Sequence, residues 1–181
     1  MTHKKTLLFT LIFVFIFMLP ILSSCSTTIT EYSHTTPKFD MATFFNGPLT
    51  AYGMVQDRSG KVIRRFEADL VGSWQGDMGI LEEDFLYNDG EEQRRVWHLK
   101  KHDGQYYSGS ADDVVGSASG QAQGFALNWH YTLAINVDDK VWNIDLDDWI
   151  YQLNETRLIN RTVMTKWGFK VGEITLIIEK H

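Results

Sequence analysis

The stretch Ala111–Val137, ADDVVGSASGQAQGFALNWHYTLAINV, decides the fold. It opens with two carboxylates, passes through small residues and ends in the most regular alternation of the chain. Leu127, Trp129, Tyr131, Leu133, Ile135 and Val137 fall on one side, and Asn128, His130, Thr132, Ala134 and Asn136 on the other. Period two over this length is a β-strand with one buried face. A face so continuously apolar and aromatic needs a second curved surface to close against.

Working outward, Asp138-Asp139 turns this strand back on itself and pairs Ile135 with Trp142, Leu133 with Ile144, Tyr131 with Leu146 and Trp129 with Asp148. Asn154-Glu155 makes the next turn. Leu158–Lys166 and Glu173–Lys180 supply the last strands, with Gly168 and Gly172 bracketing their connection. Upstream, Arg58-Ser59-Gly60, Asn88-Asp89-Gly90 and His102-Asp103-Gly104 each place glycine third, as in a three-residue hairpin loop ending in a left-handed residue. These loops predict three registers: Tyr52–Phe66 and Met54–Arg64; Leu81–Trp97, Glu83–Arg95 and Phe85–Gln93; Leu99–Tyr107, Trp97–Gly109 and Arg95–Ala111. A slip by one would turn every pair inside out. Gly116–Gly124, rich in Gly, Ser and Ala, reads as a mobile rim loop.

The result is an all-β, up-and-down antiparallel barrel of about eight to nine strands, since a meander of this length avoids exposed edges best by closing on itself. Lys38–Asn46 predicts a short helix or turn, capped by Asp40, that plugs one end with Met41, Phe44 and Phe45.

The predicted inner face carries charge. Glu83 faces Arg95, Asp113 lies diagonally from Arg95, Asp148 sits opposite Trp129, and Arg64 shares the first hairpin's inner face. This cluster suits either an internal ion pair that fixes register or a site for a ligand head group. Its carboxylates are candidates for general acid–base work if burial raises a pKa. Tyr87, Trp97, Tyr107, Trp129, Tyr131, Trp142, Trp149 and Asn160 are candidates for lining a cavity, and filling the core is the competing role.

No metal is expected, because His34, His98, His102, His130 and His181 show no ligand spacing. No cofactor is expected either, as nucleophile elbow, phosphate loop and dinucleotide fingerprint are all lacking. Of 181 residues, 17 are Lys or Arg and 23 Asp or Glu, so no basic excess points to nucleic acid.

At the N-terminus, His3, Lys4 and Lys5 precede the apolar run Leu7–Leu22, shorter than the ~20 residues of a membrane span. Together with the small residues that follow, this reads as a signal peptide over residues 1–24. Leu22-Ser23-Ser24-Cys25 resembles the bacterial lipobox, which implies cleavage before Cys25 and lipidation of its thiol. Ser26 in the next position, rather than Asp, favours the outer membrane. Cys25 is the only cysteine. Residues 25–37 read as a polar, aperiodic tether and 38–181 as the barrel domain. Cleavage removes Lys4 and Lys5 and no acid, leaving 15 basic against 23 acidic residues and a net charge of −8. Attachment to a membrane therefore rests on the lipid rather than on charge.

GMVQDRSGKVIRRF (Gly53–Phe66), ADDVVGSASG (Ala111–Gly120), ALNWHY (Ala126–Tyr131), DDWIYQL (Asp147–Leu153) and NRTVMTKWGFKVGEITL (Asn160–Leu176) resemble a family of Gram-negative envelope lipoproteins known as a domain of unknown function. That family is similar to the calycins, the superfamily of lipocalins and fatty-acid-binding proteins. The resemblance implies a calycin-like barrel, a lipid anchor and a possible hydrophobic ligand. No Trp follows Gly47 in the Gly-x-Trp position that marks the first lipocalin strand, so lipocalin function does not transfer directly. Three functional classes remain: a periplasmic barrel holding a lipid or other small hydrophobic molecule; an isomerase- or hydratase-type enzyme using Glu83 or Asp113; and an envelope structural protein with a filled barrel.

Overall fold

The computed structural model describes residues 26–137 and 140–181. Ten antiparallel strands follow one another: β1 (Gly47–Asp57), β2 (Val62–Gln75), β3 (Met78–Tyr87), β4 (Glu92–His102), β5 (Tyr106–Ser110), β6 (Ala118–Gln123), β7 (Ala126–Val137), β8 (Lys140–Gln152), β9 (Arg157–Lys166) and β10 (Phe169–Lys180). Each pairs with its neighbours in sequence, and β1 pairs with β10, so the sheet closes with no free edge. The barrel is one strand larger than the sequence suggests. The extra strand is β6, which occupies the stretch read as a rim loop. Its Ala118 and Ala122 are fully buried, and Gly120 lies directly beneath Trp129. Small residues stand there because the ring of Trp129 needs the room.

The registers of β3–β4 and β7–β8 are the expected ones: Glu83 faces Arg95, and Trp129 faces Asp148. The Asp138-Asp139 turn itself lies outside the described residues. In the first hairpin Gln56 faces Val62 as the turn requires, but a bulge then slips the register by one. Gly53 therefore faces Phe66 and Val55 faces Arg64, while Tyr52 turns outward. In the third, Leu99 faces Gly109 rather than Tyr107, a shift of two that preserves the face. A 3-10 turn over Asp103–Gln105, with Gln105 at φ 67°, replaces the shorter loop. Gly60 and Gly90 take the expected left-handed conformation, at φ 87° and 85°. Between β9 and β10 the turn is tighter than expected: Trp167 and Gly168 make it, and Gly172 marks a bulge inside β10.

One end of the barrel is plugged. Helix α1 (Met41–Phe44) starts at Asp40, whose carboxylate accepts from the Thr43 backbone N–H at 2.8 Å. Phe39, Met41, Phe44 and Phe45 are all buried, and the Phe45 ring packs edge to face with those of Phe39 and Phe44. The plug is locked by the Asp40–Lys101 ion pair and by the Trp74 indole donating to the Phe45 carbonyl at 2.8 Å. A Cβ at Gly72 would come within 2.0 Å of that carbonyl, so only glycine lets the plug seat there.

Residues 26–37 are not a bare tether. Ile29–Tyr32 forms a 3-10 turn, and the Tyr32 ring packs on Phe125, Trp149 and Tyr151 on the barrel's outer wall beside the plugged end.

Candidate functional site

Above the plug the barrel is hollow. A cavity of about 600 Å³ runs from Met41 and Phe45 at its floor to Ile63, Glu91 and Asn136 near the opposite rim. Its wall is built by the alternation described above. On β8, Ile144, Leu146, Asp148 and Ile150 point inward; on β9, Leu158, Asn160, Thr162 and Met164 do. The wall is largely apolar and aromatic, interrupted midway by a polar layer and again near the rim by Arg64, Glu91 and Asn136.

That layer contains most of the charges placed inside by sequence. The Arg95 guanidinium meets Asp113 with two nitrogens, Nη2 to Oδ2 at 2.7 Å and Nε to Oδ1 at 3.1 Å, and its Nη1 lies 3.6 Å from Glu83 Oε2. Arg95 and Glu83 side chains are 13% and 12% exposed, Asp113 28%. Asp113 reaches Arg95 from the loop after β5 rather than along a strand, since β5 ends at Ser110. Arg64 does not join them. It sits nearer the rim, bridged to Asp89 at 2.9 Å and Glu91 at 2.6 Å, with its guanidinium 3.5 Å above the Tyr87 ring.

Burial dominates the protonation of this layer. It pushes the Glu83 carboxyl up to about 7, against the pull of Arg95, with the Asp113 and Asp148 charges adding to the rise. It also pushes Asp148 up to about 6, although Thr162, Asn160 and Tyr131 stabilise its charged form. Tyr131 is held well above the ordinary phenol range by burial and then by Asp148. Burial would lower the Arg95 guanidinium, but Glu83 and Asp113 outweigh it and keep it above its usual value. Glu83 Oε2 and Asp148 Oδ1 are buried with no hydrogen-bond partner. Both are positions where a bound proton costs less than a bare charge.

Of the aromatic candidates, Tyr87, Trp97, Trp129 and Tyr131 line the cavity, as does Asn160. Trp97 packs edge-on against Trp129 and Tyr131, at centroid distances of 6.0 and 5.3 Å. Three candidates do not line it. Tyr107 is buried under the plug, where its hydroxyl accepts from Met41 N and lies 3.3 Å from Asp40. Trp142 stands at the rim beneath the Lys166 ammonium. Trp149 faces outward and stacks on Tyr151, as its parity beside inward Asp148 demands. Thr162, which faces Asp148 from β9, is a site residue the sequence reading missed. Its signal is the run of Asn160 and Thr162 between inward Leu158 and Met164. Among the described residues no group of three His, Cys, Asp or Glu side chains is arranged to hold a metal.

The fold has a solved counterpart. An S-type phycobiliprotein lyase from Guillardia theta superposes with a TM-score of 0.56 at 9% identity, over 85% of this chain and 97% of that one. A de novo designed fluorescence-activating β-barrel covers 79% of this chain and 99% of its own, with a TM-score of 0.42 at 8% identity. No curated protein matches the chain. The sequence model of a family described as protein of unknown function (DUF3833) matches residues 19–180, nearly the full length. The chain is a member of that DUF3833 family.

Proposed function

We propose that this protein is an outer-membrane lipoprotein, anchored through a lipid on Cys25 and facing the periplasm, whose barrel holds a small hydrophobic or amphipathic molecule. The observation that carries the binding reading is the cavity, about 600 Å³ of mostly apolar wall crossed midway by a polar layer, with Arg64 and Glu91 nearer its rim. Such a shape takes an alkyl or polycyclic body along the aromatics and one polar end at the layer. Burying a chain there gains about 0.8 kcal/mol per methylene, enough for ten carbons to offset the cost of association. The layer sets Glu83, Asp113 and Asp148 against Arg95, and Asp113 already occupies the guanidinium with two contacts. An anionic head group would have to displace it. The site therefore suits a neutral head group or one that donates hydrogen bonds. Likeness to a phycobiliprotein lyase fits a barrel that can surround a ligand, and it says nothing of which one.

Native mass spectrometry of the protein purified from its own cells without detergent tests this reading. A co-purifying mass that extraction with organic solvent removes is expected; a bare chain that also takes up no long-chain alcohol would overturn it. For the anchor, Cys25→Ser is expected to abolish labelling by a metabolic acyl analogue, and equal labelling of the variant would refute lipidation there.

A second reading has its own support. Glu83, pushed up to about 7 inside the cavity, has the protonation equilibrium of a general acid–base group working near neutral pH. An isomerase- or hydratase-type reaction on the same ligand would use it to move one proton. Turnover of the co-purifying molecule that Glu83→Gln abolishes, with binding kept, would favour this reading.

A further inference from the structure

The two ends of the barrel differ in what they offer to their surroundings. At the end opposite the plug, the β1–β2, β7–β8 and β9–β10 hairpins meet around one side of the cavity mouth. Their tips carry large apolar side chains in water: Trp167 is 81% exposed, Phe169 75%, Val141 68% and Ile63 59%. Ile63 also lines the cavity, so this collar continues into the interior wall. Charged residues stand among the apolar ones: Arg58 and Lys61 with Asp57 on the first hairpin, Lys140 after Asp138 and Asp139 in the sequence of the second, and Lys166 and Lys170 on the third, where Lys170 pairs with Glu173. The Lys166 ammonium lies 2.8 Å from the Trp142 ring centre and 4.8 Å from that of Trp167. The opposite side of the mouth is acidic, with Asp89, Glu91 and Glu92 on the β3–β4 side and Asp112 and Asp113 after β5.

We propose that this collar of Ile63, Val141, Trp167 and Phe169, with its interleaved lysines, docks the cavity mouth onto an anionic lipid bilayer. Three features select a bilayer over a protein partner. The apolar groups sit on separate hairpin tips and so form prongs rather than a flat face. Each prong pairs a deep apolar group with Lys or Arg beside it, the arrangement that lets ammonium groups stay at the phosphate level while the stems and rings sink below it. With Asp57, Asp138, Asp139 and Glu173 set against the five basic residues, the three hairpin ends carry a net charge of +1 on a chain of −6, so an anionic surface repels this side of the mouth less than the body behind it. Trp167, in the β9–β10 turn, belongs to the residue type most enriched at membrane interfaces. Residues 29–35 lie at the plugged end, where Thr35 Oγ1 accepts from Phe125 N. The chain thus enters the barrel opposite the collar, and the docking does not duplicate an anchor at that end. Nor does it depend on the cavity being loaded, so it goes beyond the binding reading and can fail separately from it.

Residues 26–181 contain every strand of the closed barrel and suffice for the test. The chain is sedimented with vesicles of phosphatidylglycerol and phosphatidylethanolamine, and its tryptophan emission is quenched with lipids brominated along the acyl chain. Co-sedimentation is expected, weakened by raised salt. Trp167→Ser with Phe169→Ser should reduce the bound fraction at least tenfold, and most acyl-chain quenching should disappear with Trp167. Both side chains are mainly in water, so an unchanged circular dichroism spectrum identifies the loss as one of docking. Wild-type chain left in the supernatant would overturn the proposal, as would equal sedimentation of the double variant. A wild-type dimer in solution that the double variant converts to monomer would overturn it too, by assigning the collar to a second copy.

Discussion

The plugged half of the barrel and the open half are built from the same strands and obey the same alternation, yet only one is filled. Around the plug, Phe39, Leu127 and Leu158 are fully buried and Leu49, Phe44 and Leu70 nearly so. Toward the mouth the inward residues Phe85, Tyr131, Ile135, Met164 and Ile174 are only partly buried. The difference lies in one four-residue helix. Ten strands enclose more space than inward side chains alone can fill, so a packed end needs an added element, and α1 supplies it with Asp40, Lys101 and Gly72 as its fittings. The cavity is what remains above it.

The comparison breaks most severely if the plug is removed. Phe39→Ala leaves a void in the densest part of the molecule and is expected to destabilise by about 3–5 kcal/mol, read as a lowered urea midpoint. A truncation of Ile135, which is only partly buried beside the cavity, should cost clearly less. Equal losses at the two sites would mean that the two halves are packed alike.

Next comes the polar layer. Arg95→Met strands Glu83 and Asp113 without their cation and should cost about 3 kcal/mol, in the range for breaking a buried pair. Adding Glu83→Gln should recover a large part of the loss. If both variants are nearly neutral, water reaches the layer freely and the charges act as surface groups do.

How much of this was legible beforehand follows from the physics of each element. The β3–β4 and β7–β8 registers could be read because large residues alternate on both strands up to a tight turn, and with them came the Glu83–Arg95 pair. The β1–β2 register could not, because Val62 and Ile63 are interchangeable as pattern and one of them is absorbed in a bulge. In β4–β5, Gln105 takes the left-handed conformation that a glycine one residue earlier suggested for itself. Strand β6 was hidden because its inward positions are Ala118, Gly120 and Ala122, small by necessity under Trp129 and indistinguishable from loop composition. Trp149 was legible: Asp148 inward places it outward, and reading both as interior broke the period-two rule. The cavity was not legible at all, since the same aromatics would line it or fill it.

At the open end the turns rather than the core hold the registers. Gly90 sits at φ 85° with nothing near its missing Cβ, so a substitution there meets backbone strain alone. Gly90→Val is expected to cost about 1–3 kcal/mol, with Gly90→Asn costing much less because Asn tolerates the left-handed region. Equal effects of Val and Asn would show that the turn opens without penalty.

A pH dependence reports whether the polar layer is dry. Glu83 goes from an ordinary value of 4.5 to about 7 and Asp148 from 3.8 to about 6, both mainly because they are buried. Between those limits the folded barrel holds protons that the unfolded chain has released. Their contribution to stability is complete below about pH 4 and is lost as pH rises through 6 to 7. Asp40, Asp57 and Asp89, whose carboxyls are held below 3.8, act in the opposite sense, but they do so in more acid solution and leave this window to the layer. The urea midpoint should therefore fall as pH is raised from about 5 to about 8, and Glu83→Gln combined with Asp148→Asn should flatten the profile. A ligand that fills the cavity and excludes water should steepen it, because drier carboxyls hold their protons to higher pH. A wild-type profile already flat over this range would mean that solvent occupies the open half down to Asp148, and that the two halves differ in filling but not in polarity.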